Sequence, residues 1–210
     1  MIGFLAGSGL DGPMKIKSAT FLTSAPDLES CPAPGLPEFA FIGRSNVGKS
    51  SLINMLSNRR DLAKVSATPG ATRLINFFTM NKSWFLVDLP GYGFSKVKQS
   101  DRGKFQQSVS DYLSQRESLR CVFLLIDSRL TPQKIDLQFC EWLADGTVPF
   151  VLVFTKSDKS KASKIKANMA AFLTALAEIR DGEPRCFISS AKDGDGQREI
   201  LGYVHEMLNS

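Results

Sequence analysis

The chain has one histidine, His205, among 210 residues. That residue is expected to have a surface or helix-packing role rather than a catalytic one. His205 falls in an expected C-terminal helix with no partner constellation around it. Cysteine is also sparse. Cys31, Cys121, Cys140 and Cys186 form no C-x-x-C pair, and two of them open apolar, strand-like runs where cysteine behaves as a small hydrophobe. The expectation is a reduced, cytoplasmic protein without disulfides or structural zinc. No apolar run approaches the ~18–20 residues of a membrane span, so no membrane partner is expected. The opening Met1-Ile2-Gly3-Phe4-Leu5-Ala6 has neither a basic leader nor a cleavage site and does not read as a secretory signal. Repeats and low-complexity segments are likewise missing.

Charge leans one way. The formal net charge is +5. Basic residues cluster at Lys96, Lys98, Arg102 and Lys104 and again at Lys159, Lys161, Lys164 and Lys166. These fit either solvated helix faces or contacts to RNA phosphates. Five nearly continuous apolar runs, at 39–42, 84–87, 121–126, 150–154 and 186–188, alternate with helical patterns. Strands of that kind are buried on both faces, as in a parallel sheet covered by helices, which gives an α/β class. A weaker run at 74–79 reads as an extra strand. Asn81 and Lys82 separate it from the next run as a turn, so that pair should be antiparallel. Thr131-Pro132 reads as a helix start, with Ile135, Phe139 and Trp142 as its buried stripe. Ile165, Met169, Phe172, Leu176 and Ile179 give a second helix stopped by Gly182, and Ile200, Leu201, Val204 and Leu208 a third. Residues 1–37, with their glycines and the proline-rich 31–37 link, are expected to be a flexible leader and extension. The single domain should then span 38–210, and Met14 could be an alternative start. A monomer is the default expectation.

The most specific signal is Gly43-Arg44-Ser45-Asn46-Val47-Gly48-Lys49-Ser50, a G-x-x-x-x-G-K-[ST] phosphate-binding loop placed between an apolar run and an amphipathic stretch. Backbone N–H groups there can point at oxyanions with the help of the helix dipole. Lys49 should reach the terminal phosphates, and the Ser50 hydroxyl should ligate Mg²⁺. Three further signals select the nucleotide. Asp88-Leu89-Pro90-Gly91 ends a strand; the acid can hold a Mg²⁺-bound water and the Gly91 N–H can meet a γ-phosphate. Thr155-Lys156-Ser157-Asp158 follows another strand. Its carboxylate can accept from guanine N1–H and the N2 amino group, while the Lys156 stem packs over the base. Ser189-Ser190-Ala191 follows the last strand, where the Ala191 N–H can reach guanine O6.

Taken together, these motifs resemble the translation-factor-type P-loop GTPases, and more closely the EngB (YihA) family of bacterial GTPases. Residues 43–54, Asp88-Leu89-Pro90-Gly91-Tyr92-Gly93 and Thr155-Lys156-Ser157-Asp158-Lys159 carry the likeness. Thr68-Pro69-Gly70-Ala71-Thr72-Arg73 is similar to the family's switch I. The resemblance implies a three-layer, Ras-like G domain with a mostly parallel six-stranded sheet and one antiparallel edge strand. It implies a GTPase acting in large ribosomal subunit assembly and linked to cell division and septation, with GTP and GDP as ligands and rRNA or a ribosomal protein as partner. It also places Gly70, Ala71, Thr72, Arg73 and Leu74 at the nucleotide, with Thr72 joining Ser50 and (through water) Asp88 around Mg²⁺. The expected catalytic set is Lys49, Asn46 and Gly91. Asn46 could help bind K⁺ beside the phosphates, or merely stabilise the turn. Tyr92 stands where many GTPases carry a water-orienting glutamine, and a phenol could hydrogen-bond that water. Two rivals stay open: a P-loop kinase or transferase, and a nucleotide-gated protein acting directly on the division machinery.

Overall fold

The computed structural model describes residues 14–64, 74–92, 99–146, 148–179 and 181–210, with only the backbone over 99–106. Seven strands make one sheet: β1 (Ala19–Ala25), β2 (Glu38–Gly43), β3 (Ile75–Met80), β4 (Trp84–Asp88), β5 (Leu119–Asp127), β6 (Phe150–Thr155) and β7 (Cys186–Ile188). Five helices pack on it: α1 (Lys49–Leu56), α2 (Gln99–Gln115), α3 (Lys134–Asp145), α4 (Ala162–Ala177) and α5 (Gln197–Asn209). The strand order is β1-β3-β4-β2-β5-β6-β7. β3 runs antiparallel to both its neighbours, and the remaining pairs are parallel.

Alternation along the central strands produces three layers. On β2, Ala40 and Ile42 face a core shared with Tyr112 of α2, Cys140 and Leu143 of α3, and Phe172 and Leu176 of α4. Phe39 and Phe41 face the opposite core with Leu52 and Ile53 of α1 and Ile200 and Val204 of α5. Every residue of β2 and β6 is buried, which is why those segments read as unbroken apolar runs.

The sheet differs from the sequence expectation in two respects. It has seven strands rather than six, and the antiparallel strand is not the edge. Residues 19–25, expected within a flexible leader, form β1 and pair with β3. Their pattern, buried only at Ala19 and Ala25 and with Phe21 and Leu22 in solvent, carries none of the continuous apolar burial that marked the others. The expected turn is present: Asn81 and Lys82 both take left-handed backbone (φ 52° and 57°). The Asn81 side chain then ties the incoming chain to the hairpin. It accepts from the N–H of Lys17 at 2.7 Å and donates to the Lys15 carbonyl at 2.8 Å.

α3 also departs from expectation. It begins at Lys134 after an extended Gln133, so Thr131-Pro132 lies in the preceding loop and does not cap it. Its buried face is Asp136, Cys140 and Leu143, while Ile135 and Trp142 are exposed. The phase is shifted by one residue because a polar side chain, Asp136, has partners inside the molecule that no apolar pattern reveals.

A second buried carboxylate anchors the far end of β2. Glu38, fully buried, accepts from Arg116 Nη2 at 2.6 Å, the Tyr112 hydroxyl at 2.6 Å and Ser118 Oγ at 2.8 Å. Arg116 also donates to the Pro32 carbonyl at 2.7 Å. Removing the carboxylate leaves a buried guanidinium unpaired, which costs about 3–5 kcal/mol. Glu38→Ala should therefore lower the thermal midpoint by roughly 6–20 °C, read by circular dichroism. Arg116→Ala should cause a comparable loss, and the two losses should not add.

Candidate functional site

β2 is the strand at which the chain reverses direction across the sheet: later strands lie on one side as β4 and on the other as β5. In open α/β sheets ligands bind beyond the carboxyl ends of strands at such a point. The phosphate-loop residues stand there. Gly43 ends β2 and Lys49 opens α1. Between them Asn46 (φ 63°) and Gly48 (φ 106°) adopt left-handed backbone, which asparagine and glycine tolerate best. α1 has no side-chain cap at its start and no acidic residue in its first turn, so its positive end is left for an anion.

The second motif is brought against the first by continued parallel pairing. Leu89 N–H donates to the Phe41 carbonyl at 3.0 Å and Tyr92 N–H to the Gly43 carbonyl at 3.3 Å, and Arg44 and Tyr92 form a further bridge. The approach is so close that a Cβ on Gly91 would lie 2.7 Å from the Gly43 carbonyl oxygen. Leu89 and Pro90 are buried beneath this turn. Asp88, buried at the end of β4, is ion-paired with the buried Lys49 ammonium. Asn76, its cross-strand neighbour on β3, points its amide at the other carboxylate oxygen (3.5 Å) and accepts from Ser24 of β1 at 2.6 Å.

The third motif latches onto the phosphate loop. Thr155 Oγ1 donates to the Val47 carbonyl at 2.7 Å. Lys156, itself left-handed (φ 61°), sends its stem past Gly48 and donates to the Asn46 carbonyl and to Asp127 Oδ2, the latter at 2.9 Å. Asp127, which ends β5, also receives Arg129 Nη2 at 2.7 Å. Burial pushes the Asp127 carboxyl up, but the hydrogen bonds from Arg129 and Lys156 prevail and hold it at about 2. Asp158 lies in the short helical turn Ser157–Lys159. Its Oδ2 is enclosed and accepts no well-formed hydrogen bond, although Lys159 Nζ lies 3.1 Å away. Partial desolvation raises this carboxyl, yet the neighbouring Lys159 ammonium and Ser190 hydroxyl hold it below the usual range. The fourth motif abuts the third: Ser157 N–H donates to the Ser189 carbonyl at 3.2 Å. Ser190 Oγ donates to Asp193 at 3.0 Å, shaping the turn that carries Ala191.

Gly43 to Ser50, Asp88 to Gly91, Thr155 to Asp158 and Ser189 to Ala191 are thus gathered along the carboxyl edge of the sheet. Leu74 precedes β3 and is exposed. Gly70, Ala71, Thr72 and Arg73 lie outside the described residues. Tyr92, which the sequence left open as a water ligand, is turned toward α3. Its hydroxyl donates to Asp136 Oδ1 of α3 at 2.8 Å, and its ring stacks on Phe139 at 4.5 Å, so the donor proton is committed to α3. Asp127, Asp136 and Asn76 were missed by sequence reasoning. Only Asp127, an acid closing an apolar strand, carried a signal comparable to that of Asp88.

Comparison with known proteins agrees with this geometry. Residues 38–156 match the family described as 50S ribosome-binding GTPase. The chain is 49% identical over 200 residues to the probable GTP-binding protein EngB of Bacteroides fragilis, covering 94% of this chain and all of that protein. It is 50% identical over 194 residues to the probable GTP-binding protein EngB of Bacteroides thetaiotaomicron, covering 92% and 96%. A crystal structure of a probable GTP-binding protein EngB superposes with a TM-score of 0.67 at 23% identity, over 82% of this chain and 98% of that one. Era from Aquifex aeolicus bound to GDP and aluminium fluoride gives 0.65 at 20% identity, over 83% and 56%. These two structures share the fold, whereas the near-full-length sequence identity fixes the family. With four motifs assembled at one sheet edge and 49–50% identity over 92–94% of its length, the chain belongs to the EngB family of P-loop GTPases.

Proposed function

We propose that this protein binds GTP and GDP, hydrolyses GTP slowly, and acts as a nucleotide-dependent switch in assembly of the large ribosomal subunit, with normal cell division and septation depending on that step. The observation that carries the nucleotide assignment is the enclosed Asp158 carboxylate, its Oδ2 met only by the exposed Lys159 ammonium without a well-formed hydrogen bond, on a loop latched to residues 46–47. Guanine offers two adjacent donors to such an acid; adenine offers none in that place and would leave it unpaired. The partner assignment draws on the family description and on the exposed Lys159, Lys161, Lys164 and Lys166, which suit an RNA backbone. The working form is a cytoplasmic monomer.

In this chemistry the protein positions groups and stabilises charge. Lys49 and the N–H groups of residues 45–50 would hold the β- and γ-oxygens, and the Gly91 N–H would meet the γ-phosphate. The hard oxygen donors of Ser50, Thr72 and Asp88, the last through water, suit Mg²⁺. That ion supplies neutralisation of the phosphate oxygens when bound. On nucleotide entry Lys49 exchanges Asp88 for phosphate, freeing the carboxylate. Loss of the γ-phosphate releases Gly91 and Thr72 and changes the surface presented to the ribosomal partner.

Three outcomes check this reading. Asp158→Asn should weaken GTP binding at least about 100-fold by calorimetry and raise the affinity for xanthosine triphosphate, whose 2-oxo group accepts where guanine donates. Unassisted turnover should lie on the order of 10⁻⁴–10⁻² s⁻¹ and be faster in KCl than in NaCl at matched ionic strength; equal rates would remove K⁺ and the part given to Asn46. Co-sedimentation with large ribosomal subunits should be stronger with a non-hydrolysable GTP analogue than with GDP and should weaken steeply with salt. Capture of division proteins without ribosomes would favour direct action on septation.

A further inference from the structure

Asp136 is a carboxylate on a helix that belongs to no nucleotide motif, yet it is 1% exposed. Burying an acid is costly unless it is fully partnered. Its partners all come from the two loops expected to hold the γ-phosphate. Arg44 Nε sits 3.1 Å from each carboxylate oxygen, and the Tyr92 hydroxyl donates to Oδ1 at 2.8 Å. Arg44 follows the first glycine of the phosphate loop, and Tyr92 follows Gly91. One carboxylate therefore closes a ring whose other side is the Arg44–Tyr92 backbone bridge and the Tyr92 N–H bond to the Gly43 carbonyl.

Resting on the GTPase reading above, we infer that Asp136 is a positioning residue for the γ-phosphate: by holding Arg44 and Tyr92 it fixes the Gly91–Tyr92 turn against the phosphate loop. The Gly91 N–H is then held in place before nucleotide arrives. The ring of Tyr92, stacked on Phe139, is clamped at both its face and its hydroxyl. The side chain after the switch glycine thus orders its own backbone and does not reach for the attacking water. Preorganisation of this kind favours the state with a γ-phosphate over the state without one, because only the triphosphate uses the Gly91 donor. Burial, reinforced by the neighbouring Asp136 charge, raises the Tyr92 phenol well above its ordinary range, so its proton stays available to the carboxylate.

The test uses the full chain with Mg²⁺ and three variants: Tyr92→Phe, which keeps the ring and deletes one oxygen, Asp136→Asn, which keeps the shape and deletes the charge, and the two combined. Calorimetry gives affinities for GDP and for a non-hydrolysable GTP analogue, and single-turnover assays give the hydrolysis rate. The expected result is GDP affinity within about twofold of the unaltered protein. Analogue affinity and hydrolysis rate should each fall about tenfold, the effect of roughly one hydrogen bond to a charged group. The double variant should be no worse than the poorer single one, since both cut the same link. Equal weakening of GDP and analogue would mean that Asp136 only docks α3, and no change in either would mean that the ring is idle; both results overturn the inference. Should Asp136→Asn fail to fold, Tyr92→Phe alone decides. An unaltered protein that binds no guanine nucleotide would overturn the GTPase reading along with this one, whereas normal GTP hydrolysis in all three variants overturns this one only.

Discussion

The parallel pairing of β2 with β4 does not stop where the sheet stops. It runs on through Leu89 and Tyr92 to the carbonyls of Phe41 and Gly43, and the whole site depends on that extension. Two loops that leave neighbouring parallel strands would normally splay. Here the backbone ladder keeps them in contact, at a separation that leaves no room for a Cβ on Gly91. The consequence is electrostatic as well as steric: Lys49 and Asp88 become buried neighbours, each a ready partner for the other.

The loop at 155–158, proposed to read the base, is attached by a different device. Thr155 and Lys156 donate to carbonyls of Val47 and Asn46, so the phosphate loop is braced from the side opposite β4. Asp127 steadies the Lys156 ammonium, with Arg129 sharing its charge. The loops at 43–50, 88–91 and 155–158 are therefore one hydrogen-bonded unit spanning the ends of β2, β4, β5 and β6. The first and last of these loops are coupled through the Thr155 and Lys156 side chains, which bond to main-chain carbonyls of the other loop.

Buried acids occur at both ends of β2 and do different work. Glu38, at the amino end, gathers Arg116, Tyr112 and Ser118 and closes α2 onto the sheet away from any ligand. Asp136, near the carboxyl end, gathers residues from the ligand loops themselves. Its inward orientation turns α3 so that Ile135 and Trp142 lie outside, an apolar surface next to the switch turn.

The continuous apolar runs determined β2, β4, β5 and β6, because strands buried on both faces need no alternation, and the short apolar run at 186–188 determined β7 although only Phe187 is buried there. The residue types at 43–50, 88–91, 155–158 and 189–191 marked the segments that the fold gathers at one sheet edge, and on which the proposed phosphate and base chemistry rests, because main-chain cradles demand glycine and base discrimination demands an acid at fixed points along the chain. The phase of α3 was not written in that alphabet: Ile135, Phe139 and Trp142 make a plausible buried stripe until Asp136 finds Arg44 and Tyr92, residues 92 and 44 positions away. β1 was equally hidden, since a register shift between Phe21 and Thr23 breaks its alternation and leaves Phe21 and Leu22 both exposed. The sequence alone determined which local pieces and chemical groups exist. Only the tertiary structure decided which buried charges would meet, because those pairings join distant segments and depend on register rather than on composition.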